Sequence, residues 1–182
     1  MILTGDHIRR EHRAGRITID PFDADCLNPN SYNYHLGSYI KVAPVGRIEP
    51  TRDHVWPIEA IPPEGFLLRP GVLYLGHTAE VIGSDYYVTS LIGRSSVGRL
   101  GLFLQLSADL GHQGAIHRWT LELAVVQPLI VYSGMRIGQV SFWSTLGRVS
   151  AYSGSYGNEH LPTENRVRVY DANANADEGV ST

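Results

Sequence analysis

Apolar residues in this chain recur at every second position over short runs, and glycine, proline or asparagine interrupts each run within a few residues. That rhythm marks half-buried strands joined by tight turns. It predicts strands over residues 32–37, 39–42, 66–68, 72–76, 87–92, 102–106, 119–126, 129–132 and 137–143. Asp20-Pro21-Phe22 and Asn28-Pro29-Asn30-Ser31 read as loops, and Arg69-Pro70-Gly71 and Ser133-Gly134 as chain reversals. One helix is expected first, with Thr4 as N-cap, Asp6 in the first turn and Gly15 as the stop. With only Ile8 and Ala14 as apolar residues, it is expected on the surface with its histidines and arginines solvated. The outcome is a mainly β chain, a sandwich, jelly roll or distorted barrel. A single domain over residues 1–168 accommodates it, and the remainder, 169–182, has little to bury and is expected to be disordered.

The bulk numbers narrow the field. A chain of 182 residues can bury a core of its own. A formal net charge of −3 argues against a nucleic-acid polymer as partner, because such binders carry a basic face. Cys26 is the one cysteine, so neither an intramolecular disulfide nor a cysteine-rich zinc site can form. The N-terminus turns charged too early for a signal peptide. No apolar run approaches the roughly 18 residues of a membrane span. The expectation is a cytoplasmic protein without a membrane partner. His112 and His117 are five apart, but without a cysteine partner or a His-Glu-x-x-His helix they make a weak metal pair. Trp56, Trp119 and Trp143 are expected in the core.

Chemistry concentrates in two places. The first is Gly93-Arg94-Ser95-Ser96-Val97-Gly98-Arg99-Leu100-Gly101. Ser95 and Arg99 share a face if Ser95-Ser96 cap a short helix ending at Gly101. Its free N–H groups together with Arg94 then form an anion site; a capped turn with two solvated arginines is the plainer reading. The second is Glu122, a carboxylate inside the apolar run 119–126. It is either on an outer face, paired to an arginine, or functional, in which case burial tunes it for proton transfer.

Gly93 to Leu102, Ser107-Ala108, Leu121-Glu122-Leu123 and Gly134-Met135-Arg136-Ile137-Gly138-Gln139, in this order and spacing, resemble the dCTP deaminase family of the dUTPase-like superfamily. The interval from Arg99 to Glu122 matches without a gap. Ile19-Asp20-Pro21-Phe22, Asn28-Pro29-Asn30-Ser31-Tyr32-Asn33, Leu68-Arg69-Pro70-Gly71 and Gly154-Ser155-Tyr156-Gly157 also fit, so the likeness covers roughly residues 1–165. It implies a dUTPase-like distorted β-barrel or jelly roll with a short helix at the Gly-Arg-Ser-Ser motif. It also implies a homotrimer with active sites between subunits, and deamination of a cytosine nucleotide without zinc. The His-x-Glu and Pro-Cys-x-x-Cys pattern of zinc deaminases is indeed absent. By the resemblance, Glu122 moves protons between water, ring and leaving ammonia, and Ser95 and the Ala108 carbonyl position the water and the amine. Arg99 supports the developing charge. Arg94 and the Ser95-Ser96 amides grip phosphate, with Mg²⁺ accompanying the phosphates. Thr120, Leu121 and Gln139 are placed against the nucleotide; Tyr152 and Tyr156 can cover a bound base or phosphate, a packed terminal strand being the other reading.

Three positions depart from the family pattern. His112 stands where an aspartate meets the deoxyribose and, in the dUTPases, activates water; it can serve sugar or phosphate recognition or be a plain loop histidine. Ser155 replaces a phosphate-binding lysine, and Glu159 a glutamine. Each unit-charge contact is worth on the order of 4 kcal/mol at 4 Å and an effective dielectric near 20, before desolvation. A triphosphate is therefore gripped less well, and a substrate differing from dCTP in phosphates, sugar or base fits these changes. Two other readings stay open: a dUTPase-like pyrophosphohydrolase, and a non-catalytic nucleotide-binding homologue.

Overall fold

The alternating runs form sheets. The computed structural model describes residues 1–105, 107–150, 152 and 160–165. Its strands are β1 (Thr18–Asp20), β2 (Tyr32–His35), β3 (Tyr39–Val42), β4 (Ile58–Ala60), β5 (Phe66–Leu68), β6 (Tyr74–His77) and β7 (Val81–Gly83). They continue as β8 (Val88–Gly93), β9 (Leu102–Leu104), β10 (Leu110–Gly111), β11 (Ile116–His117), β12 (Thr120–Val125), β13 (Leu129–Val131) and β14 (Arg136–Trp143). Helix α1 (Gly5–Arg13) precedes them, and α2 (Ser95–Gly98) lies between β8 and β9. The expected disordered tail, Ser155, Tyr156 and Glu159 lie outside the described residues.

Four antiparallel sheets result, in the strand orders β4-β3-β6-β12-β9, β10-β8-β14-β2, β1-β7-β11 and β13-β5. Tyr32, Tyr34, Leu36, Ile40, Leu91, Leu121, Leu123, Val140 and Phe142 pack between them, each fully or almost fully buried. The two tyrosines keep their hydroxyls satisfied: Tyr34 donates to the Ile92 carbonyl at 3.3 Å and Tyr32 accepts from the Asp23 N–H at 2.9 Å. The turns at Gly71 and Gly134 both take φ of +77°, which glycine adopts without cost. They lead from β5 to β6 and from β13 to β14, as chain reversals should.

Helix α1 corrects one expectation. Thr4 caps it through the His7 N–H and Gly15 follows it with φ of +71°, as read from the sequence. One face of it is buried, however, at Gly5, Ile8 and Glu11, with Arg9 and His12 half-buried, while Arg10 and Arg13 stay exposed as expected. Glu11 receives two 2.6 Å bonds from Arg16 and one of 2.8 Å from the Tyr87 hydroxyl. A carboxylate so held is tolerable inside, because every oxygen has a donor. A lone charge on a nearly apolar-free face could not announce that. Strands β1, β4, β7, β10 and β11, each two or three residues long, also went unread.

Candidate active site

Strand β12 shows the alternation that builds the site. Leu121, Leu123 and Val125 point into the core, while Thr120, Glu122 and Ala124 face the other way. In the antiparallel register Thr120 sits opposite His77, and Glu122 opposite Leu75. A cavity of about 480 Å³ opens over that face. Glu122, Thr120, Ala108, His112 and Tyr152, all expected at the site, line it together. Leu121 does not; its side chain is fully buried in the core, so only its backbone can serve a ligand.

Glu122 is half-buried, and its carboxylate accepts from the Ser107 hydroxyl at 3.4 Å. The Ala108 carbonyl accepts from the Gln105 side-chain amide at 3.1 Å. His112 stacks on Tyr152 with 5.5 Å between ring centres, and the Tyr152 N–H donates to the Gln113 carbonyl at 2.9 Å. His112 therefore borders the cavity as an exposed residue of the loop between β10 and β11. His117 lies tilted against Trp119 with 4.3 Å between ring centres, and the Trp119 indole N–H is fixed on the Ile82 carbonyl at 2.9 Å. Behind Thr120, burial holds the His77 imidazole below its usual pKa and therefore neutral.

The C-terminal stretch 160–165 completes the wall. The Thr163 N–H donates to the Thr120 hydroxyl at 3.1 Å, and Glu164 forms an ion pair with Lys41 on β3. Thr163, Glu164 and Asn165 all face the cavity. Trp56 and Trp119 line it too; Trp119 also packs against the core as expected, whereas Trp56 is not among the core residues and Trp143 is 43% exposed. An indole is large enough to shield a site from water while its N–H stays bonded. Composition alone cannot separate that from core duty.

The other expected residues lie elsewhere. Helix α2 begins at Ser95, and its cap is Arg94, whose side chain makes no capping bond; the serines do not cap it, and it ends at Gly98 and not at Gly101. Val97 anchors it in the core, while Ser95, Ser96 and Arg99 are exposed and Arg94 is half-buried. The chain then runs through Gly101, whose carbonyl takes the Val126 N–H, into β9 alongside β12. Glu122 is four residues in from Val126, roughly 13 Å of strand. None of Arg94, Ser95, Ser96 and Arg99 borders the Glu122 cavity within one chain. Gln139, on β14 opposite Ile92, accepts from the Ser31 hydroxyl at 2.9 Å and stands near the start of α2, not in the cavity. The expected site residues thus fall into two separate groups within the chain: a cavity with a carboxylate, and a basic hydroxyl-bearing turn near Gln139.

Gln105 went unread in the sequence. It was placed inside a strand over 102–106, but β9 ends at Leu104 and Gln105 turns to φ of +49°. No local pattern marks that turn.

Glu122 and Ala108 thus line one cavity of an antiparallel β-fold. Residues 2–145 match the family model described as dCTP deaminase-like. The chain is 43% identical over 158 residues to the "dCTP deaminase, dUMP-forming" of Leptospira biflexa, covering 86% of this chain and 90% of that protein. The protein of the same description from Clostridium beijerinckii is 40% identical over 87% of this chain and 91% of its own. A "dCTP deaminase" of Rhodopirellula baltica is 43% identical over 81% and 74%. Among solved structures, 2'-deoxycytidine 5'-triphosphate deaminase from Agrobacterium tumefaciens superposes with a TM-score of 0.62 at 22% identity, over 78% of this chain. That is a likeness of fold, and the chain spans about half of that protein's length (47%). The chain belongs to the dCTP deaminase-like family.

Proposed function

We propose that the chain is a hydrolytic deaminase converting a cytosine nucleotide to the uracil nucleotide and ammonia. The observation that carries this reading is the pairing of Glu122 with the Ala108 carbonyl in one cavity, in a chain about 40% identical to dCTP deaminases. Water added at the ring carbon bearing the amine must lose a proton, and the departing amine must gain one. A carboxylate in hydrogen-bond reach can do both in turn. The Ala108 carbonyl, an acceptor only, orients a donor such as water or the exocyclic amine.

A chain with one cysteine cannot supply the His/Cys/Cys ligands of zinc deaminases, so the reading is of a deaminase that works without that site. Among the described residues no group of three His, Cys, Asp or Glu is arranged to hold a metal. Mg²⁺ accompanying the nucleotide would therefore be held by phosphate oxygens and water. It would supply charge neutralisation.

Glu122 needs a cation and a phosphate grip, and neither lysine nor arginine is among the described residues lining its cavity. Association of three chains supplies both, by setting α2 of one subunit, with Arg94, Ser95, Ser96 and Arg99, over the cavity of the next. The exposure of Ile92, Leu110 and Phe103, between 42% and 58%, supports such burial of surface between copies. No helix among the described residues is long and apolar enough to cross a membrane, and nucleotide chemistry suits the cytoplasm. His112, Ser155 and Glu159 favour a substrate other than dCTP itself in phosphates, sugar or base. The domain extends over 1–168.

A panel of cytidine and deoxycytidine with their mono-, di- and triphosphates, assayed for ammonia, tests the reading. Ammonia from at least one member supports it; binding without product from any of them refutes it in favour of a nucleotide-binding homologue. Pyrophosphate belongs in the same assay, because two relatives are named dUMP-forming. Its release together with ammonia would extend the activity to the phosphate chain, a step His112 is poorly suited to promote in place of a carboxylate.

A further inference from the structure

We propose that Gln105 is a positioning residue for this reaction, its side-chain amide holding the Ala108 carbonyl and Glu122 at a fixed spacing. The inference rests on the deaminase reading of the site.

Strand β9 pairs with β12 through Leu102 and Leu104, and regular pairing stops there. At the next residue the backbone N–H still donates to the Glu122 carbonyl, at 3.3 Å. The Glu122 N–H, however, meets the side-chain Oε1 of Gln105, at 2.8 Å, where a strand would offer a backbone carbonyl. The side chain thus takes over one rung of the ladder and frees the backbone to turn away. Its φ of +49° records that turn, a conformation that residues other than glycine and asparagine adopt at a cost. The other half of the amide, Nε2, donates to the Ala108 carbonyl at 3.1 Å. Both partners dictate the orientation of the amide, since an N–H requires the oxygen and a carbonyl requires the nitrogen. One planar group therefore spans the two elements assigned to the chemistry, and it lines the cavity between them.

A turn alone does not require this. Glycine or asparagine would enter φ of +49° more easily, yet neither could reach both partners. The bonds of the amide account for a long side chain at a strained position.

The test uses full-length protein, ammonia release from the best wild-type substrate of the panel, and amide exchange at the Glu122 N–H. Gln105→Asn relaxes the backbone but is one methylene short, and Gln105→Met keeps the length without the polar atoms. Both are expected to lower kcat by about 10- to 100-fold, the penalty of a small misplacement of reacting groups. KM should change by less than about threefold, because ground-state contacts are left in place. Exchange at Glu122 should accelerate in both.

Gln105→Glu separates positioning from general damage. Ionised, it cannot donate to Ala108; protonated, it offers one donor and one acceptor like the native amide. Its kcat relative to wild type should rise as pH falls from 8 to 5.5. Wild-type turnover with kcat within about twofold in the Asn and Met variants overturns the proposal alone. A flat pH ratio for the Glu variant, or unchanged exchange at Glu122, also overturns it. Wild-type protein that releases no ammonia from any cytosine nucleotide overturns the deaminase reading, and the role given to Gln105 with it.

Discussion

Replacing Glu122 by glutamine separates chemistry from architecture, because the substitution removes a basic oxygen and almost nothing else. The backbone N–H of residue 122 remains on Gln105, and the side-chain oxygen of glutamine can still accept from Ser107 at the position of the 3.4 Å contact. The side chain is half-buried and forms no ion pair within the described chain. Stability should therefore change by no more than about 0.5 kcal/mol, or about 1–2 °C in Tm for a chain of this size. Loss of the proton-transfer group raises the barrier by about 3–5 kcal/mol, the equivalent of a 10²- to 10⁴-fold fall in kcat. Measured side by side, thermal unfolding and coupled ammonia release from a cytosine nucleotide give these two numbers on one preparation. Nucleotide binding, followed by calorimetry, should persist. A Glu122→Gln protein that turns over within about tenfold of wild type would remove Glu122 as the base.

Other outcomes follow from the same geometry. If the proposed trimer shares its sites between subunits, Arg99→Ala and Glu122→Gln proteins, each inactive, should recover about a quarter of wild-type activity when unfolded, mixed equally and reassembled, because random association pairs an intact Arg99 with an intact Glu122 at that frequency; no recovery would refute the shared site. Glu11 is held near a pKa of about 2 first by the hydrogen bonds from Arg16, against the opposing effect of its own burial, with Tyr87 and the Arg16 charge adding to the lowering. Folded-state depression means stability that is complete above the unfolded value near 4.5 and lost as pH falls toward 2. Glu11→Gln should therefore lower stability by about 1–2 kcal/mol at pH 7, the half-solvated guanidinium of Arg16 limiting the figure, and the gap in urea midpoints should close between those pH values. A gap that stays constant down to pH 2 would sink this account. At Gly37 an added Cβ would lie 2.0 Å from the His77 ring, so Gly37→Ala should destabilise by about 1–3 kcal/mol, and His77→Ser should relieve much of that in a double-mutant cycle. Additive effects would show that the ring is not the obstacle.

Much of this protein is set by local chemistry that a sequence exposes. Period-two alternation placed the strands carrying the site, because a strand with one face in the core has no other way to arrange Leu121, Leu123 and Val125 against Thr120 and Glu122. Thr4 and Gly15 bounded α1 for equally local reasons of hydrogen bonding and φ. Motif spacing likewise gave the family and the carboxylate. Partnerships between distant segments were decided only by the tertiary structure. Nothing local paired Glu11 with Arg16 and Tyr87, and Trp56 looked like core until the sheet set it at a cavity. Gln105 looked like strand until its side chain replaced a carbonyl in the ladder. Hydrogen-bond satisfaction and burial are properties of where chains meet, and they fix where a side chain goes after the alternation of the sequence has fixed which face it is on.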